Sequence, residues 1–370
     1  MTSANLISRK VKGISLDNSK LEALRRRFAD ADAFSIDDPT LKAAAAALAV
    51  GDGRRSVPYA GISTFLGLPA AASWAGLDVA VIGVPTDLGV SNRSGARFGP
   101  RAVRGIERIG PYHPTQRIVP QAILKAADIG DVPFRSRYSL EQTLEDIESF
   151  YTRLHQDRVR PLSVGGDHSI TYPILKALGR ERPVGLVHID AHCDTMGCYD
   201  GSKFHHGGPF RLAVLDGVLD PERTIQIGIR GASNMYWEFS YASGMTVIEI
   251  EEFTSLGVAA VAGLARRVVG EGPVYVTVDV DGFDPAYAPG TGTPEAGGLT
   301  AREGIALLRA LSGLDVVGAD VVEVAPQYDP TTNTAQLAAQ LLFEEFALLA
   351  VSPAVETESY AVATAANTTL

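Results

Sequence analysis

VGLVHIDAHCD, residues 184–194, decides how the rest of the chain is read. It opens on VGLV, an apolar run of the kind found in strands covered on both faces, as in a parallel sheet. It then passes into Asp190, His192 and Asp194. Two other runs repeat this: PLSVGGDHS (161–169) leads into His168, and VYVTVDVDGFD (274–284) into Asp279 and Asp281. A buried ionised carboxylate is costly unless it is paired or bound to metal. Four carboxylates and two imidazoles at strand ends therefore read as a site for two divalent cations, with His168, Asp190, His192, Asp194, Asp279 and Asp281 as ligands. Side chains alternate along a strand, so Asp190, His192 and Asp194 are expected on one side, and Asp279 with Asp281 on one side. A carboxylate and imidazole set without thiolate suits Mn²⁺, Ni²⁺, Fe²⁺ or Co²⁺ better than a structural zinc.

Working outward, eight apolar runs read as strands: 78–85, 123–130, 161–167, 184–190, 224–230, 245–250, 274–280 and 316–324. Helical patterns lie between many of them. Ser139 and Gln142 fit a capping box ahead of a stripe of Leu140, Leu144, Ile147, Tyr151 and Leu154, and Thr300 with Glu303 forms another. A third helix is expected from about Thr334 to Leu349. The alternation predicts an α/β chain: three αβα layers around a central, mostly parallel eight-stranded sheet. In such sheets ligands sit beyond the carboxyl ends of the strands, where the acidic runs lie. Residues 1–75 read as an N-terminal extension with helices around 19–29 and 40–49 and a turn near 51–55. Residues 76–351 read as the catalytic domain, and 352–370 as a flexible tail.

The chain has 370 residues and a hydrophobic content of 46%, enough for a sizeable core, and a formal net charge of −10 from 33 Lys plus Arg against 43 Asp plus Glu. No basic stripe points to nucleic acid. No apolar run is long enough to span a membrane and no secretory h-region is evident. Two cysteines, Cys193 and Cys198, make no disulfide framework, so a reducing, cytoplasmic setting is expected.

GGDHS, DAHCD and TVDVDGFDPAYAPGTGTPEAGG together resemble the metal-site signatures of the ureohydrolases, and within them the agmatinase-like branch. Thr277 stands where Ser is usual. The likeness runs from about Val79 to about Leu349 and includes SNRSGARFGPRAVR (91–104) and GADVVEVAP (318–326). It implies an arginase-like fold, two Mn²⁺ or Ni²⁺ per chain, and hydrolysis of a small guanidine compound to urea and an amine or ammonia. It also implies site roles: Glu323 binds the guanidinium, Asp194 takes a proton from water, and His206 shuttles a proton to the leaving amine. His205 reads as a solvated loop residue. Arg93 or Arg97 is expected in an ion pair. Trp237 reads first as core or interface packing. A homo-oligomer, trimer or hexamer, is expected, with a hetero-oligomer as the alternative.

MGCYDGSKFHHGG (196–208) lacks the Ser-Gly-Asn type stretch with which the arginase branch holds an α-amino acid, which disfavours arginine. Guanidine, agmatine, guanidino acids and biguanides remain, and the long N-terminal extension resembles the guanidine and biguanide hydrolases, which ranks a small guanidine first. The competing readings are a non-catalytic partner subunit, which usually lacks metal ligands, and a one-zinc deacetylase-like hydrolase, which has no use for a second metal position.

Overall fold

The computed structural model describes residues 17–32, 35–48, 59–107 and 109–353. Its eight strands are β1 (Val79–Val84), β2 (Ala126–Asp131), β3 (Arg160–Gly165), β4 (Val184–Ile189), β5 (Leu219–Ile229), β6 (Thr246–Glu249), β7 (Val274–Asp279) and β8 (Val316–Val322). They form one sheet in the order β2-β1-β3-β8-β7-β4-β5-β6. Every neighbouring pair is parallel, so the sheet is wholly parallel where a mostly parallel one was expected.

The helices are α1 (Asn18–Phe28), α2 (Pro39–Ala47), α3 (Gly99–Arg104), α4 (Pro120–Ile123), α5 (Leu140–Gln156), α6 (Thr171–Leu178), α7 (Pro209–Leu215), α8 (Glu238–Ser243), α9 (Ile250–Leu256), α10 (Val258–Val269), α11 (Ala301–Ala310) and α12 (Asn333–Ala350). Helices α5, α6 and α7 cover one face of the sheet, and α10, α11 and α12 the other. The continuous apolar strands follow from this double cover. In β1, Val79 and Val81 pack in one core layer, while Ala80, Ile82 and Val84 pack in the opposite one.

Thr300 and Glu303 form the full reciprocal capping box at α11. At α5 only half of the expected box forms: Ser139 Oγ accepts from Gln142 N at 3.3 Å. The predicted N-terminal helices appear as α1 and α2. The turn expected near 51–55 and nearly all of the tail lie outside the described residues.

Strands β3, β8, β7 and β4 are consecutive in the sheet, and their carboxyl ends point the same way. Register does the rest. Ile189 pairs with Val278 and Asp279 with Val322, so the residues just past β4, β7 and β8 meet side by side. Two glycines permit the close approach of loops there. A Cβ on Gly166 would lie 2.4 Å from Val84 O, and one on Gly282 would lie 3.0 Å from Asp190 N.

Candidate active site

Strand β4 stops at Ile189, before any of its three expected ligands. Strand alternation therefore does not bring Asp190, His192 and Asp194 together. An irregular turn does, in which His192 N donates to Asp190 Oδ1 at 2.6 Å and Asp194 takes a φ of 51°. Asp279 closes β7 and Asp281 sits in a one-turn 3-10 segment, Val280–Gly282, tied by Asp281 N to Asp279 Oδ1 at 2.8 Å. His168 likewise opens a short 3-10 segment, His168–Ile170, beyond the end of β3 at Gly165. All six predicted ligands nonetheless converge. His168 Nδ1 is 2.9 Å from Asp194 Oδ2, 3.1 Å from Asp190 Oδ2 and 3.4 Å from Asp279 Oδ2. His192 Nδ1 is 3.3 Å from Asp281 Oδ2 and 3.5 Å from Asp190 Oδ1.

Thr277 and Asp320 fix a proton on His168 Nε2. Asp320 accepts from Thr277 Oγ1 at 2.5 Å, so the Thr277 hydroxyl proton is committed, and the same oxygen accepts from His168 Nε2–H at 2.9 Å. With protein groups alone, burial opposes the charged ring but Asp190, Asp194 and Asp279 outweigh it and push the imidazole well above its ordinary range, so Nδ1 holds a proton there or turns its lone pair to a metal ion. Nδ1 is buried among three carboxylates and has a hydrogen bond with none. A nitrogen facing carboxylate oxygens at 2.9–3.4 Å needs a proton or a metal cation between them. The charge balance agrees: burial, then Asp281 and Asp190, push the Asp279 carboxyl well above its ordinary range when only protein groups surround it. The donors around Asp190 fall into two groups, one with His168 and Asp194 and one with His192 and Asp281, so the cluster suits a binuclear site.

His188 lies in the first group but serves a different task. Its Nε2 donates to Asp190 Oδ2 at 2.7 Å, and its Nδ1 accepts from Gln226 Nε2 at 3.1 Å, so both nitrogens are engaged. With both nitrogens taken, it buttresses Asp190 and offers no free ligand atom. Thr293 Oγ1 similarly donates to Asp281 Oδ2 at 2.9 Å. Arg230, at the end of β5, donates to the carbonyls of Gly228, Asp281, Gly282, Phe283, Glu295 and Ala296, and so pins the loop carrying Asp281.

Glu323 follows β8 with a φ of 66°, in the left-handed region that a non-glycine residue enters at a cost. Its Oε1 accepts from His168 N at 2.9 Å and from His206 Nδ1 at 2.8 Å. Its Oε2 is buried and has no partner. His206 Nε2 meets Ser91, 2.7 Å from Oγ and 3.2 Å from N. Desolvation opposes the imidazolium, but the charge and hydrogen bond of Glu323 outweigh it and push His206 up to about 9. Neutral or charged, the ring keeps Nδ1–H on Glu323. Asp167 completes the group: burial and the Glu323 charge push it up to about 6, while its oxygens accept from Gly89 N and Ser169 N.

A cavity of about 230 Å³ opens onto His192, Asp194, Asp279, Asp281 and His206; Glu323, His168 and Asp190 lie behind its wall. His205 and Trp237 both line it. His205 is buried, with Nε2 donating to Gly197 O at 2.8 Å, and is not the solvated residue expected. Trp237 is a cavity wall where core or interface packing was the first reading. In the 91–104 loop, Arg97 pairs with Asp87 as expected, whereas Arg93 donates to Gly292 O and Thr291 O and stacks on Tyr328.

The chain matches the Arginase family over residues 77–347. It is 51% identical over 300 residues to the guanidinopropionase of Pseudomonas aeruginosa, covering 80% of this chain and 94% of that one. It is 46% identical over 302 residues to the mitochondrial agmatinase of Gallus gallus, covering 80% and 87%. Among solved structures it superposes on the proclavaminate amidino hydrolase of Streptomyces clavuligerus with a TM-score of 0.77 at 40% identity, covering 80% of this chain and 99% of that one.

Proposed function

From the premise that this chain belongs to the arginase family, we propose that it is a binuclear-metal ureohydrolase that cleaves a C–N bond of a guanidino compound to give urea and an amine. One observation carries the reading: with Nε2 committed to Thr277, His168 Nδ1 is turned toward the three buried carboxylates of Asp190, Asp194 and Asp279. His168, Asp190, Asp194 and Asp279 would hold one ion, with Asp190, His192 and Asp281 at the other. When bound, the ions supply Lewis acidity and a water acidic enough to be a nucleophile near neutral pH.

The remaining steps belong to the protein. Glu323 Oε2 accepts guanidinium N–H groups and neutralises the substrate beside a cationic centre. Asp194 takes the proton of the attacking water. The tetrahedral carbon then collapses, and His206, held between Ser91 and Glu323, delivers a proton to the departing amine nitrogen. The hard oxygen and imidazole donors favour Mn²⁺ or Ni²⁺. The proposal extends to residues 76–351 as the catalytic domain, with 1–75 as an extension and 352–370 as a tail, and to a homo-oligomer in a reducing cytoplasmic compartment, consistent with the free thiols of Cys193 and Cys198. Among the described residues no helix is long and apolar enough to cross a membrane.

The test is urea release by protein loaded with Mn²⁺ or Ni²⁺, assayed on guanidine, agmatine, guanidino acids and biguanides. Urea from at least one of them is expected; none from any would overturn the proposal.

A further inference from the structure

His206 supplies the proton in the reaction proposed above, yet neither of its ring nitrogens is free. Nδ1–H is on Glu323 Oε1 at 2.8 Å. Nε2 lies 2.7 Å from Ser91 Oγ and 3.2 Å from Ser91 N. An imidazole N–H points along one direction in the ring plane, and at Nε2 that direction ends on Ser91. Both residues line the cavity beside Asp194, Asp279 and Asp281, but His206 is buried and Ser91 is exposed. A proton leaving Nε2 for the cavity therefore passes through the Ser91 hydroxyl.

The hydroxyl is not what holds Ser91 in place. Its loop is tied on both sides: Gly89 O accepts from His206 N at 2.9 Å, Gly89 N donates to Asp167 Oδ2 at 2.8 Å, and the Arg93 guanidinium donates to Thr291 O at 2.8 Å. Ser91 Oγ has one bond among the described residues, the one to His206. A serine oxygen can accept one proton while giving up its own. Against burial, the charge and hydrogen bond of Glu323 push His206 up to about 9, so the ring holds a proton to pass on.

We infer that Ser91 is the group that protonates the departing amine, with His206 recharging it from behind. The inference rests on the ureohydrolase reading and on His206 as the proton source. As the C–N bond breaks, its electron pair leaves on the amine nitrogen, which takes the Ser91 hydroxyl proton. Ser91 Oγ takes the Nε2 proton of His206. The carbinol oxygen gives its own proton to solvent as the C=O bond of urea forms, and His206 regains one from solvent through the exposed hydroxyl.

The experiment measures kcat, KM and bound metal for metal-loaded wild type, Ser91→Ala, Ser91→Thr, His206→Asn and the double variant Ser91→Ala with His206→Asn. The substrate is a guanidino compound from which wild type releases urea. General acid catalysis contributes about 10²–10⁴-fold, and a cavity water stands in for part of it, so Ser91→Ala should lower kcat at least ~10-fold. KM and metal content should hold, because Ser91 has no hydrogen bond to a proposed ligand and its backbone N–H stays on His206. Threonine keeps the hydroxyl and should keep most of kcat. In a relay the two losses are one loss, so the double variant should fall within a few-fold of the poorer single variant. Wild-type kcat in Ser91→Ala, an equal loss in Ser91→Thr, a loss that appears in KM or metal content, or losses that multiply in the double variant would each overturn Ser91 as the donor and leave the ureohydrolase reading standing. Wild-type kcat in His206→Asn overturns the proton source beneath it. No urea from wild type on any guanidino compound overturns the ureohydrolase reading itself.

Discussion

Thr277→Val is the most informative single substitution outside the proposed ligands. It preserves volume in a fully buried strand position and deletes one hydroxyl. That hydroxyl makes two bonds, accepting from His168 Nε2 at 2.9 Å and donating to Asp320 Oδ1 at 2.5 Å. Asp320 keeps the Thr171 and Tyr275 hydroxyls on its other oxygen. His168 keeps nothing: its Nε2–H is left buried and unpaired, at a cost of about 1–3 kcal/mol. The ring then gains by turning or by moving its proton to Nδ1, and either change removes the lone pair from the metal position. Loss of such an orienting partner lowers metal affinity about 10–100-fold, or about 1.4–2.7 kcal/mol, which matches the hydrogen-bond figure. The assay is a competition titration of apo protein with Mn²⁺ and with Ni²⁺, beside wild type and Thr277→Ser. Serine retains the hydroxyl and should bind as wild type does. A valine variant that binds both ions with wild-type affinity would refute the claim that Thr277 fixes the proton on His168 Nε2.

Other substitutions test separate links. Glu323→Gln should lower kcat/KM at least ~10-fold with metal content near wild type, read by activity and metal analysis of one preparation; loss of metal would make Glu323 a ligand instead. Arg230→Lys cannot reach six carbonyls, so the loop carrying Asp281 should loosen, with a lower Tm in thermal melts and weaker binding of one metal. Glu345, fully buried in α12 with both oxygens unpartnered, has its carboxyl pushed well above the ordinary range by burial and then by Asp320. The folded chain therefore keeps a proton that the unfolded chain releases above about pH 4.3, and stability falls as pH rises past that point. Glu345→Gln removes this loss, so Tm at pH 7.5 should rise by roughly 2–5 °C and the gain should vanish near pH 4.5.

The sheet was legible because double burial leaves continuous apolar runs, and each of the eight runs became a strand. The six proposed ligands were legible because clustered acids at strand ends have few other uses. Their convergence was reached for a partly wrong reason: strand β4 ends at Ile189, and the turn through Asp194 does what alternation was expected to do. The supporting groups were harder to see. Thr277, His188 and Asp320 sit inside apolar strands and announce themselves only as polar interruptions two residues from an acid, or, for Asp320, three from Glu323. Ser91 and Thr293 sit in stretches that carried the resemblance but nothing in the sequence marked their partners, and Arg230 acts across a long sequence separation, for which one sequence carries no signal. His205 was misjudged because burial against a cavity, unlike burial in a core, has no periodicity; Trp237 lines the same cavity and not the core.

Metal stoichiometry tests the central claim most directly. Apo protein is titrated with Mn²⁺ or Ni²⁺ while bound metal per chain and urea release from a guanidino substrate are followed together. Activity is expected to saturate at about two ions per chain. Full activity at one ion per chain, or with none, would contradict it.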